Sequence, residues 1–219
     1  MTLRVYAIGG LGVDERVFEE LSLDVELTLL KWINPEYRES IQHYALRLAK
    51  QIDTSSPFVI MGVSFGGRIA LELSNIVHPQ KIILISSATH RMDIPALFRL
   101  FAKTGLLRII PDYLLKPPTF LANYFFGATK SRYQKILGEI IRDTDYVFLR
   151  WAIEIILGWR NTQKPINLFR IHGSDDRLLC SSQDDVDVMV SKGGHFMIMD
   201  RAPELSKIIN RELHKIIHE

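Results

Sequence analysis

Residues 58–67 read Phe58-Val59-Ile60-Met61-Gly62-Val63-Ser64-Phe65-Gly66-Gly67, and Arg68-Ile69-Ala70-Leu71-Glu72-Leu73-Ser74 follows without a break. An apolar run enters Gly62, and the residues after Gly67 have helical spacing. A buried strand therefore passes through a tight turn straight into a helix. In such a turn Ser64 takes a strained backbone conformation that lifts its hydroxyl clear of the sheet. Gly62 and Gly66 remove side chains that would collide there. The first N–H groups of the helix point to where a negative oxygen would form beside Ser64. Ser64 is the candidate nucleophile. The competing reading is a glycine-rich turn of any α/β fold, with Ser64 only capping the helix.

Working outward, short apolar strands alternate with helical stretches. Leu3 to Ile8 is a strand that ends in Gly9-Gly10-Leu11-Gly12. Asp14 to Leu21 reads as a short helix, Val25 to Trp32 as a strand and Glu39 to Ile52 as a helix with Ile41, Tyr44, Ala45, Leu48 and Ile52 on one face. Lys81 to Ser86, Ile166 to Ile171 and Val186 to Val190 complete a set of six strands, and Glu204 to Ile217 is a closing amphipathic helix. Continuously apolar strands joined by helices predict a mainly parallel sheet covered on both faces.

Residues 90–164 break the alternation. They show helical stretches and no strand, and they hold 12 of the chain's 21 aromatic residues. They also hold 12 Lys or Arg against 6 Asp or Glu, a local charge of +6 within a chain of net charge +2. The segment reads as a helical cap inserted over the C-terminal edge of the sheet, where open α/β sheets bind ligands. The core is then 1–89 with 165–219. Most of the cap aromatics are expected to pack the cap itself, with a few facing a substrate. The Lys and Arg could form a basic pocket mouth or a solvated outer face.

Bulk properties narrow the class. With 219 residues, 47% apolar and 24% charged, the chain suits one soluble globular domain with a large core. Its small net charge gives no footprint for nucleic acid. No apolar run nears the roughly 20 residues that cross a bilayer, so stable membrane insertion is not expected. The single Cys180 excludes an internal disulfide framework, and a cytoplasmic protein is expected. No cofactor and no metal is expected, and no His/Asp/Glu cluster at ligand spacing stands out.

A serine needs a base, and an imidazole base needs an acid to hold its tautomer. Of seven histidines, His195 stands in Gly193-Gly194-His195 just beyond the last strand, where two glycines free it to reach Ser64. It is the candidate base, and its plainer alternative is a loop histidine bonded to backbone. The acid should follow a neighbouring strand. Asp175 and Asp176 follow Ile171-His172-Gly173-Ser174, and Asp176 is preferred over its neighbour. The order Ser64, Asp, His195 suits this architecture.

These pieces together resemble a small α/β-hydrolase: Ile8-Gly9-Gly10-Leu11-Gly12, Gly62-Val63-Ser64-Phe65-Gly66-Gly67, His172-Gly173-Ser174-Asp175-Asp176 and Gly193-Gly194-His195 occur in family order over nearly the whole chain. The resemblance implies a serine hydrolase acting on a small-molecule carboxylic ester or related acyl substrate. It implies Asp176 as the acid, and oxyanion donors at Phe65 and Leu11, with Gly10 as the substitute for the second. Two features depart from the family. The usual first two strands are missing, and the acid is followed by Arg177-Leu178-Leu179-Cys180 in place of the frequent Val-Pro.

Two rivals differ in class. Dinucleotide binding at Gly9-Gly10-Leu11-Gly12 would need Gly or Ala where Glu15 stands. The other is a hydrolase fold kept as a small-molecule receptor or binding module with little turnover. A long-lived acyl-enzyme would mark that second case. Protein partners are not legible in the sequence.

Overall fold

A computed structural model describes residues 3–12, 15–105, 107, 109–161 and 165–218. Its elements in chain order are β1 (Arg4–Ile8), β2 (Glu26–Leu29), α1 (Ile41–Leu48), β3 (Phe58–Val63), α2 (Phe65–Val77), β4 (Lys81–Ile85), α3 (Ala96–Lys103), α4 (Thr119–Phe126), α5 (Ser131–Asp143), α6 (Tyr146–Gly158), β5 (Leu168–Gly173), β6 (Val188–Val190), α7 (Met197–Asp200) and α8 (Ala202–His218). The six strands form one sheet in the order β2-β1-β3-β4-β5-β6. Every adjacent pair among them is parallel.

Side-chain alternation splits the core into two layers. Val5, Ala7, Val59, Met61, Ile83 and Ile85 face one side, where Leu205, Ile209 and Leu213 recur every fourth residue of α8 to cover them. Tyr6, Ile8, Ile60, Ile82 and Leu84 face the other, under Tyr44 and Leu48 of α1 and Ile69 and Leu73 of α2. Both faces of the central strands are buried, so Phe58–Val63 and residues 82–85 carry no polar side chain.

The chain runs from β1 outward to β2, then crosses back to β3 on the other side of β1. That reversal opens a crevice at the C-terminal ends of β1 and β3. Leu11 follows β1 and Ser64 follows β3, so both candidate residues sit at this crevice.

One expected helix does not form. In place of a helix over 14–21 there is a single 3-10 turn, Glu15–Val17, and Asp14 lies outside the described residues. Phe18 N–H donates to Glu15 O and Leu21 N–H to Phe18 O, so tight turns follow one another. They put Val17 and Phe18 into the core. Strand β5 also runs later than the apolar run suggested. Ile166 is fully exposed, whereas His172 and Gly173 pair with Met189 and Val190 of β6.

Residues 90–161 carry α3 to α6 and no strand among those described. Their aromatics do not build a separate core. Tyr133 of α5 joins one sheet-face cluster, and Phe148 and Trp151 of α6 join the other.

Candidate active site

Ser64 adopts φ 52° and ψ −118°, a backbone conformation a non-glycine residue holds only under constraint. The constraint comes from three strands. Ser64 N–H donates to Ile85 O of β4 at 3.0 Å, and Ser64 O accepts from Gly67 N–H at 3.1 Å and Ser87 Oγ at 2.7 Å. A Cβ on Gly66 would run into the carbonyl oxygens of Gly9 and Ile8, and one on Gly62 into the backbone of Gly66 and Gly67. Glycine at both positions lets the end of β1 press against the turn.

His195 stands five residues beyond β6 and is 4% exposed. The end of α4 clamps its loop. Phe196 N–H donates to Phe126 O at 2.8 Å, and the Phe126 ring meets the imidazole edge-on with centroids 5.4 Å apart. His195 Nε2 lies 2.7 Å from Ser64 Oγ, and Nδ1 lies 2.8 Å from Asp176 Oδ2.

Asp176 turns inward, with its side chain 1% exposed. Its other oxygen, Oδ1, accepts from Leu178 N–H at 2.9 Å and Leu179 N–H at 3.0 Å. Burial alone would raise this carboxyl, but the His195 imidazole, its hydrogen bond and His172 outweigh that and hold it below its ordinary range. Against an ionised carboxylate Nδ1 must be the donor, which leaves Nε2 of a neutral imidazole as the acceptor for the Ser64 hydroxyl. Asp175 faces solvent and accepts from Ser174 Oγ at 2.8 Å. The structure thus brings Ser64, His195 and Asp176 together and leaves Asp175 apart.

A solved hydrolase from Oleispira antarctica superposes with a TM-score of 0.71 at 13% identity, over 100% of this chain and 92% of that one. A candidate lipase from Acinetobacter baumannii AYE gives 0.73 at 13%, over 99% and 85%. A type II thioesterase of the yersiniabactin NRPS/PKS pathway gives 0.64 at 20%, over 96% and 92%. The chain has the α/β-hydrolase fold. No protein-family model and no curated protein matches the sequence.

Within this hydrolase fold, a cavity of about 730 Å³ opens on Ser64 and His195. Gly10, Leu11 and Phe65 line it beside them. Phe65 is the first residue of α2, so its N–H is one of those a helix leaves without an internal acceptor. The remaining wall is almost wholly apolar. Phe98, Phe101, Phe125 and Phe126 come from the 90–161 segment, so four of its aromatics face the cavity. Its Lys and Arg do not line the wall among the described residues, and Arg108 and Lys164 lie outside them. Several of these cations pair on the outer face instead, as Arg150 does with Asp112 and Arg132 with Glu20.

A candidate cation cluster also escapes a reading of the sequence. Glu36, Glu39 and His43 offer ligand atoms within 4.8 Å of one another. Both Glu39 oxygens are already engaged by Arg47 Nη1, at 2.8 and 2.9 Å, and none of the three residues lines the cavity. Arg68, read only as part of a helix, does line the cavity. A cation inside the apolar run after Gly67 was the available signal.

His172 touches the same carboxylate, with Nε2 3.4 Å from Asp176 Oδ2 and 3.4 Å from Leu179 O. Burial is the largest influence on it and lowers its pKa, against the opposing pull of Asp176. The unfolded chain protonates this imidazole near about 6.5, the folded chain only further below. Between those values protons favour unfolding, so stability falls as pH drops from about 6.5. His172→Gln, which can still donate to Leu179 O, should flatten that loss. Urea midpoints at about pH 7.5 and 5.5 measure it, and an unchanged loss in the variant removes His172 as the cause.

Proposed function

We propose that this protein is a serine hydrolase that cleaves a carboxylic ester or related acyl substrate through an acyl-enzyme on Ser64. The observation that carries the reading is the continuous chain from Ser64 Oγ through His195 to a buried Asp176, at 2.7 and 2.8 Å, at the wall of an apolar cavity. His195 Nε2 takes the Ser64 proton as Oγ attacks the substrate carbonyl. The N–H groups of Phe65 and Leu11 hold the tetrahedral oxyanion, each worth about 3 kcal/mol in systems of this kind. His195 then passes the proton to the leaving oxygen. Water, activated by the same imidazole, releases the acid and restores Ser64.

The solved structures with this fold include proteins named as esterases, a lipase candidate and a thioesterase. Esters and thioesters share this machinery, and the ester is the working assignment. Residues 90–164 act as the cap that selects the acyl chain, over a core of 1–89 and 165–219. The protein works on a small molecule and in the cytoplasm, in keeping with its lone cysteine. Among the described residues no helix is long and apolar enough to cross a membrane.

A fluorophosphonate probe should label Ser64, read as a mass shift on the peptide that carries it. With a panel of p-nitrophenyl esters, kcat/KM should rise with acyl length by about 0.8 kcal/mol per buried methylene until the cavity is full. Best turnover of the acetyl ester would sink the apolar acyl site. A label-competent Ser64 that acylates and then fails to release product would move the reading to a hydrolase-fold receptor.

A further inference from the structure

We propose that Arg68 determines specificity, pairing with a carboxylate that the substrate carries at the far end of an apolar chain; this rests on the hydrolase reading above.

Arg68 lies in the first turn of α2, four residues after Ser64, and both line the same cavity. It is 2% exposed and yet lines the cavity. Its position is fixed. Nη1 donates to Ile156 O of α6 at 2.7 Å, and the guanidinium carbon lies 5.1 Å from the centre of the Trp159 ring. A guanidinium has five N–H donors, and this is its one hydrogen bond among the described residues.

It also has no carboxylate within ion-pair distance among those residues, and the nearby acids are spoken for. Glu72, one turn further along α2, accepts from Trp159 Nε1 at 2.7 Å and Gln42 Nε2 at 3.1 Å. Asp93, which attracts Arg68 from a distance, is held by Arg170 Nη2 at 3.2 Å and Thr89 N–H at 2.7 Å. Burial pulls the Arg68 pKa down to about 10, which still leaves it a cation near neutrality. A buried cation without a partner is costly, and a substrate anion would supply the missing one. The planar donor fork suits a carboxylate, which it can hold through two parallel bonds. One cation in apolar walls suits a single negative charge better than a phosphate dianion.

A structural role alone is the competing account, in which Arg68 only caps the end of α6. The experiment separates the two by reading a ratio. Monomethyl suberate carries its carboxylate on the acyl side, and 4-acetoxybutanoate carries it on the alcohol side. Each is compared with the neutral primary amide of the same shape. In the wild type one acid should exceed its amide by about tenfold or more in kcat/KM, the size expected for a charged hydrogen bond made in a buried site. The arm that shows it locates the carboxylate. Arg68→Met should remove the preference and Arg68→Lys should keep part of it. No preference in either wild-type arm overturns the proposal, as does a preference that survives in Arg68→Met. Should Arg68→Met not fold, the wild-type ratio and Arg68→Lys decide, and a preference undiminished in Arg68→Lys counts against the donor fork. Calorimetric binding of each acid and amide to Ser64→Ala needs no turnover. Tighter binding of an acid there supports the Arg68 role even if hydrolysis fails, and equal binding overturns it even if hydrolysis holds.

Discussion

Ser64→Ala should lower ester kcat/KM by about 10⁴- to 10⁶-fold, the range seen when the nucleophile of such a triad is lost. It should also abolish fluorophosphonate labelling. The fold should survive, because the turn is held by Ser64 backbone groups, through Ile85 O, Gly67 N–H and Ser87 Oγ, and not by its hydroxyl. The side-chain hydrogen bond that alanine removes is the one to His195 Nε2. Circular dichroism and the melting temperature check the fold, and the ester assay checks the chemistry. A well-folded variant that keeps more than about a tenth of the wild-type rate would end the assignment of Ser64 as nucleophile.

Asp176→Asn should cost about 10⁴-fold in kcat, while Asp175→Asn should leave the rate within a few-fold. The reason is the tautomer. Asp176 Oδ2 can only accept, which forces the His195 proton onto Nδ1 and frees Nε2 for Ser64. Two N–H groups, of Leu178 and Leu179, hold Oδ1. An asparagine keeps its oxygen on those donors and turns its NH₂ toward Nδ1, so the imidazole proton moves to Nε2 and the base is lost. Asp175 touches only Ser174 Oγ and solvent. Equal losses in the two variants would show that the carboxylate acts through the general field of the loop and not through His195.

Much of this was legible from the chain because it is written in local patterns. The run from Phe58 to Val63 is apolar at every position, and all six residues are buried. Such a strand, followed at once by a helix, needs glycine where backbones cross, and Gly62 and Gly66 stand at those crossings. His195 was legible because two glycines after a short strand free the loop that carries it, and the structure adds that Gly194 lies against Gly127. The stretch over 14–21 misled because its apolar spacing fits a helix, while its residues are held in successive i→i+3 turns. Short connections like this take their form from the ends they join.

Local pattern was enough to set the alternation of strands and helices, the parallel sheet, the turn at Ser64 and the order in which the three candidate residues come. These follow from side-chain periodicity and from the steric needs of glycine, which act over a few residues. Which of two adjacent aspartates turns inward was left to packing between distant parts of the chain. Gly173 and Gly193 meet so closely that a Cβ on Gly173 would strike the Gly193 carbonyl, and Asp175 N–H donates to that same oxygen at 2.9 Å. That contact between the ends of β5 and β6 sets the rotation of the loop, sending Asp175 to solvent and Asp176 to His195. Packing also decided that Arg68 is enclosed while the described cations of residues 90–161 stay off the cavity wall, because burial of a charge depends on what α6 packs over it, 88 residues away along the chain.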